Sequence, residues 1–166
     1  MGARELFERD KRQFQHWAVE LAGGFCNTKH SGDQGVDGRI YTESAQGLRS
    51  MVLSVKGGKN LAPENVRELT GTMTTEPLAW MAGFICLEKP TKGMLAAAAQ
   101  GGMIDYQGTK YTRVQIRTIE QLLDGQRFDT PSVVQKMNSE KQSVLPLVAG
   151  ATASSKKVKK RAASST

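Results

Sequence analysis

The order of hydrophobic patterns along this chain predicts an α/β fold in which a mixed central sheet is flanked by helices. Three observations carry that expectation. Strand-like segments come consecutively near the N-terminus, as antiparallel neighbours do. Farther on, strands alternate with helices, as parallel crossovers do. One segment, "LAWMAGFICLE" (residues 78–88), is apolar at nearly every position, the pattern of a strand buried on both faces.

Each element has its own signal. Phe14, Trp17, Ala18 and Leu21 follow the i, i+3, i+4, i+7 spacing of one apolar helix face, and Gly23-Gly24 stops that helix. "FCNTKH" reads as a short strand, and "VDGRIYT" as the second after a Gly-Asp turn. "SAQGLRS" is polar enough to read as a connection, and "MVLSVKG" as the third strand. Pro63 opens a helix through "ENVRELTGTM", since proline is tolerated in a first turn. After the buried strand, "TKGMLAAAAQGG" is a helix ended by Gly101-Gly102, and "YTRVQIRT" is a strand. Thr118 then caps "IEQLLDG", with Gln121 placed for a capping box and Gly125 as the stop. Trp17 and Trp80 fall in apolar patterns and are expected in the core.

Composition bounds the function class. With 39% hydrophobic and 23% charged residues, the chain reads as an ordinary soluble globular protein. No apolar run approaches the roughly 18 residues a membrane helix needs, so a membrane is not among the expected partners. The charged start "MGARELFERDKRQFQ" has no secretory core, and Cys26 and Cys86 form no metal-type pair, so a cytoplasmic location is expected. The net charge of +7 points to a polyanion, but Lys156, Lys157, Lys159, Lys160 and Arg161 all lie in the acid-free tail "ATASSKKVKKRAASST". Without those five charges the body carries only +2, so nucleic acid would have to be met by a local groove. The expected organisation is one domain over residues 1–135 and a disordered basic tail over 136–166.

The stretch "SGDQGVDGRIYTE" crowds two aspartates and three glycines between Ser31 and Gly38, then turns β-branched and aromatic. Asp37 therefore reads either as a hairpin-turn residue or as a metal ligand on a sheet rim. The next strand bears on that choice. Its period of two puts Met51, Leu53 and Val55 on one face, and Val52, Ser54 and Lys56 on the other. A lysine that closes a central strand must reach solvent, a cleft or a counter-charge. A carboxylate and an amine meeting at one rim suit metal-assisted phosphodiester hydrolysis, and equally a surface salt bridge. Spacing alone leaves both open.

"GDQGVDGRIY" followed by "VLSVKGGKN" resembles the bipartite motif of the PD-(D/E)xK nuclease superfamily, in its Mrr-like restriction endonuclease branch. The chain is more similar still to the nuclease-like module at the C-terminus of certain bacterial site-specific adenine DNA methyltransferases. "ELFERDKRQFQHWAVEL", "ENVRELTG", "ICLEKPTKGMLAAAAQGG" and "VQIRTIEQLLDGQRFDTP" extend the likeness over roughly Glu5 to Val134. The resemblance implies a restriction-endonuclease-like αβββαβ core and a metal-dependent DNA endonuclease of the restriction-modification type. The alternative it carries is a noncatalytic DNA-binding or coupling module of a DNA methyltransferase.

By the same resemblance, Asp37 is the metal-binding aspartate, Lys56 the catalytic lysine, and Val55 a backbone-carbonyl ligand. Gln15 stands where Mrr-like nucleases often carry a glutamate. Ser54 occupies the catalytic-motif position of a Glu, Asp or Gln. Both departures weaken a metal site; Asp33 and Glu20 are spare carboxylates. The implied cofactor is Mg²⁺, with Mn²⁺ as substitute. The implied partners are double-stranded DNA and a DNA methyltransferase, and double-strand cleavage would call for a homodimer. Lys59 in "KGGKN" and the basic tail are candidate DNA contacts. "KGGKN" is not a phosphate loop, since Asn60 stands where Ser or Thr is needed. His16 with Glu20, and Cys26 with His30, are four apart, but two lone ligands do not make a zinc site. No Asp-Pro-Pro-Tyr run is present for methyl transfer.

Deleting Ala151 to Thr166 should leave the melting temperature nearly unchanged and lower nonspecific DNA affinity, most at low salt. A large fall in melting temperature would show the tail folded against the body.

Overall fold

The computed structural model describes residues 2–27 and 35–134. These belong to one unit, Met1–Gln135; the basic tail, with Lys156 to Arg161, lies outside the described residues. So do His30 and Asp33. The chain runs α1 (Ala3–Arg9), α2 (Lys11–Leu21), β1 (Phe25–Cys26), β2 (Gly38–Ser44), β3 (Gly47–Lys56), α3 (Pro63–Thr75) and β4 (Ala79–Cys86). It continues through α4 (Lys92–Ala99), β5 (Met103–Tyr106), β6 (Thr109–Thr112), β7 (Val114–Thr118) and α5 (Ile119–Leu123).

Five strands form one sheet in the order β1-β2-β3-β4-β7. The first three pair antiparallel, and β3-β4 and β4-β7 pair parallel, so the sheet is mixed as the element order required. Helices cover both faces. On one, Phe14, Ala18 and Val19 of α2 and Ile119 and Leu122 of α5 meet Met51, Leu53, Val55 and Ile85. On the other, Val66, Leu69 and Met73 of α3 and Met94, Ala97 and Ala98 of α4 meet Val52, Ala82, Phe84 and Cys86. The alternation along β3 follows the sequence pattern residue by residue.

Three segments differ from the sequence expectation, each for a physical reason. "SAQGLRS" is not a connection: β2 runs to Ser44 and β3 starts at Gly47, with only Ala45 and Gln46 between paired ends. The tip residues from Gly47 to Arg49 are not buried, so the segment carries few core apolar residues although its backbone is fully laddered. "YTRVQIRT" is not one strand either. Tyr111 and Thr112 end β6, and β7 starts at Val114, which lies in the core layer beneath α4. The β5-β6 hairpin turns at Gln107-Gly108, both at positive φ (53° and 85°), a turn usually marked by Asn-Gly or Asp-Gly. Finally, the helix read from Phe14 to Leu21 stands as α2, and an unassigned helix, α1, precedes it: Asp10 ends α1 and caps α2, its carboxylate accepting from Gln13 N at 3.0 Å. Trp17 and Trp80 are half-buried at the edge of the first core cluster, where Trp80 Nε1 donates to Thr42 Oγ1 at 2.9 Å. An indole at a core margin keeps its N–H partnered while its ring is covered.

Helix α1 has no fully buried residue, yet it grips the end of β3. Arg4 Nη1 donates to Gly57 O at 3.0 Å, and Arg4 also pairs with Glu88 just beyond β4. The Phe7 ring lies against Gly57 so closely that a Cβ there would come within 2.3 Å of it. Gly57→Ala should therefore displace Phe7 and cost about 1–3 kcal/mol, the range for overpacking. Urea unfolding measures this, and an unchanged midpoint would show that α1 does not clamp the turn.

Candidate functional site

The carboxyl end of β3 is where a strand with two covered faces runs out of cover. Ser50 to Val55 are buried, and Lys56 is exposed. Ser54 retains only 5% exposure, yet it faces the α3 layer through a polar side chain. On this side Ser54 and Lys56 line a cleft of about 50 Å³ with Gly35. The opposite wall is α3, which contributes Asn65, Glu68, Leu69 and Thr72, one helical stripe. Leu69 is the buried floor of that stripe, and the polar residues stand at its rim.

Asp37 sits beside this cleft at the entrance of β2. Its N–H donates to Leu53 O at 2.8 Å, and its Oδ2 accepts from Val55 N at 2.7 Å. The side chain thus takes a place that a backbone carbonyl of β2 would hold, and the residue straddles Ser54. Asn27 fixes Asp37 from the β1 side: its N–H donates to Asp37 O at 3.0 Å, and its Nδ2 to Val36 O at 3.0 Å. Peptide groups along a strand point alternately to its two neighbours. Leu53 and Val55 both turn toward β2, so the Val55 carbonyl faces the same edge as the Asp37 carboxylate.

Asp37, Ser54, Val55 and Lys56 are therefore brought to one end of the sheet. Lys59 is exposed on the turn that follows β3. Gln15 is half-buried on α2, in the helix layer across the sheet from α3. Glu20 and His16 are exposed on α2, also away from the cleft's wall. Cys86, in register with Lys56, is buried, and burial pushes its thiol up to about 12. It stays protonated at neutral pH and offers no thiolate to a metal. Among the described residues no three His, Cys, Asp or Glu side chains cluster as a ready-made metal site.

Asn65, Glu68 and Thr72 were not singled out from the sequence. Their spacing after Pro63, with Leu69 inside it, is a helix-periodic polar stripe, and this signal was legible once "ENVRELTGTM" was read as the crossover between β3 and β4. Which side of that crossover would face Lys56 needed the three-dimensional structure. Asn65 is held at the start of α3, where its Oδ1 accepts from Ala62 N at 2.9 Å.

No protein-family model matches the chain, and no curated protein matches it. Among solved structures it is similar to the MspJI restriction endonuclease in complex with a 27-mer oligonucleotide, at 16% identity and a TM-score of 0.46. The likeness covers 72% of this chain and 28% of that one, so the chain spans little more than a quarter of that protein's length.

The Asp37–Val55 bond makes a stability prediction separate from any chemistry. Asp37→Ala strands a half-buried N–H and should cost about 1–3 kcal/mol in chemical denaturation. Asp37→Asn keeps an acceptor oxygen and should cost less. Equal losses would mean that the charge, not the acceptor, holds the strand end.

Proposed function

We propose that the chain is a metal-dependent DNA endonuclease domain of the PD-(D/E)xK, Mrr-like type, working in restriction-modification. The observation that carries this reading is the Asp37 carboxylate seated on the Val55 N–H, beside a cleft lined by Ser54 and Lys56. The donor set suits Mg²⁺ or Mn²⁺, because the carboxylate and the Val55 carbonyl are hard oxygen donors on one edge. Gln15, the metal ligand that the resemblance implies on α2, stands in the helix layer across the sheet from α3. When bound there, the ion supplies Lewis-acid polarisation of a phosphodiester oxygen and acidifies a coordinated water.

The chain's own residues divide the remaining work. The Val55 N–H orients the Asp37 carboxylate by donating to its Oδ2. Lys56, exposed at the strand end, offsets the charge that builds on the phosphate and holds the attacking water by a hydrogen bond. Lys59 lies one short turn away, where a DNA backbone would continue, and the basic tail adds salt-sensitive attraction. Double-strand cleavage would take two copies, hence a homodimer on DNA.

A second reading is favoured by one observation: the strand position beside Lys56 carries Ser54, with no carboxylate. It makes the chain a noncatalytic DNA-binding or coupling module of a site-specific DNA methyltransferase.

Methylated and unmethylated supercoiled plasmids, incubated with the protein and Mg²⁺ or Mn²⁺, separate the two. Nicking or linearisation that EDTA stops supports the endonuclease. Asp37→Asn should abolish it, and Lys56→Ala should lower the cleavage rate by about a hundredfold or more while binding DNA. DNA binding without cleavage under every condition supports the coupling module.

A further inference from the structure

We propose that the amino end of the sheet carries a separate surface for unpaired nucleic acid, DNA or RNA, built on Trp80 with Arg49 over its ring. The inference goes beyond the nuclease reading and does not rest on a cation at Asp37.

Two backbone irregularities aim Trp80. In the parallel pairing of β3 with β4, Ser50 faces Ala79 and Met51 faces Met81, so Trp80 is the extra residue of a β-bulge. A bulge re-aims a side chain out of strict alternation. The Trp80 ring accordingly joins the core margin on the Met81 side of the sheet. Two residues earlier, Leu78 stands at a φ of 68°, a region that bulky side chains enter only under strain. Its side chain is 51% exposed, so burial does not offset that strain, while its carbonyl accepts from Ser50 N at 2.9 Å. Backbone held in such sparsely populated regions clusters at functional sites.

The side chains gathered here have the chemistry of base and phosphate recognition. The Arg49 guanidinium lies over the Trp80 ring, 5.9 Å from its centroid, and the Tyr106 ring meets the same indole edge-on at 6.3 Å. Arg113 Nε donates to Trp80 O at 3.1 Å, which leaves its terminal amino groups as donors. Among the described residues neither Arg49 nor Arg113 belongs to an ion pair. Asp105, in the same hairpin as Tyr106, is committed to its own turn, where it accepts from Gly108 N at 3.2 Å. Two guanidinium groups without a carboxylate attract phosphates, and a guanidinium plane held on an aromatic ring is a platform for a base. Bases inside a duplex are already stacked on one another, so the platform suits an unpaired strand.

This surface does not continue the cleft. Arg49 shares one face of β3 with Met51, and Lys56 shares the other with Val52. From Arg49 to Lys56 the strand itself spans roughly 23 Å.

Tryptophan emission tests the proposal. Trp17 and Trp80 are the two tryptophans, so Trp17→Phe in the full-length protein leaves Trp80 as the reporter. Thymidine and uridine oligomers of about 12 nucleotides, within the size of one single-strand site, are titrated beside a duplex of the same length, with EDTA present. At least one unpaired oligomer should change Trp80 emission saturably, and the tighter of the two names the natural ligand as DNA or RNA. Arg49→Ala should weaken binding by about fivefold or more, the lower end of the effect of stacking one base. Arg49→Lys keeps the charge without the plane and should weaken it nearly as much. Circular dichroism checks that both variants are folded; Arg49 is not buried, so their melting temperatures should match the Trp17→Phe background. No saturable change with either unpaired oligomer overturns the proposal, and so does a duplex that binds as tightly. Unchanged affinity in Arg49→Lys overturns the stacking platform on which it rests. Plasmid cleavage that EDTA stops tests the nuclease reading separately, so failure of one leaves the other standing.

Discussion

Burial of β3 on both faces constrains everything around it. From Ser50 to Val55 the strand is covered by α2 on one side and α3 on the other. A charged group inside such a sandwich would be prohibitively costly to desolvate, so polar chemistry is confined to the strand's last residues. The same constraint places Lys56 in solvent, leaves Ser54 facing a cleft, and makes the β2 entrance the one neighbouring edge where a carboxylate can meet a β3 peptide group. Asp37 takes that place. Its acceptor role in the ladder follows from the departure of β2 from regular pairing just before Gly38.

The two helix layers contribute unequally to this end of the sheet. Helix α2 is anchored by Phe14, Ala18 and Val19 and adds packing. Helix α1 adds a grip on Gly57 through Phe7 and Arg4. Helix α3 presents a polar stripe above its apolar floor, and so forms a wall as well as a cover. One layer stiffens the strand end, and the other shapes the space beside it.

Much of this was legible in the sequence because two periodicities and a handful of caps specify it. The period of two in "MVLSVK" assigned the faces of β3 correctly, and Thr118 with Gln121 forms the expected reciprocal cap. What escaped were features whose polarity has a tertiary cause. The β2-β3 tip is exposed, so its strand pattern is weak although its backbone pairs. The Gln107-Gly108 turn carries no strong turn dipeptide. Asp37 and Lys56 were singled out by the motif resemblance of "GDQGVDGRIY" and "VLSVKGGKN", since spacing alone left a turn and a salt bridge open. Glu68 was not, because a glutamate on a surface helix is ordinary until its neighbours across the fold are known.

The cleft residues have a further property. Every one of them, with Asp37, falls between Gly35 and Thr72. They come from a single β-hairpin and the helix that follows it, a continuous run with short loop closures. The cleft can therefore assemble early, before the second parallel crossover brings β7 to the sheet, because local contacts form sooner than distant ones. It also means that changes in the C-terminal half, from α4 onward, alter the support of this end of the sheet without touching its lining.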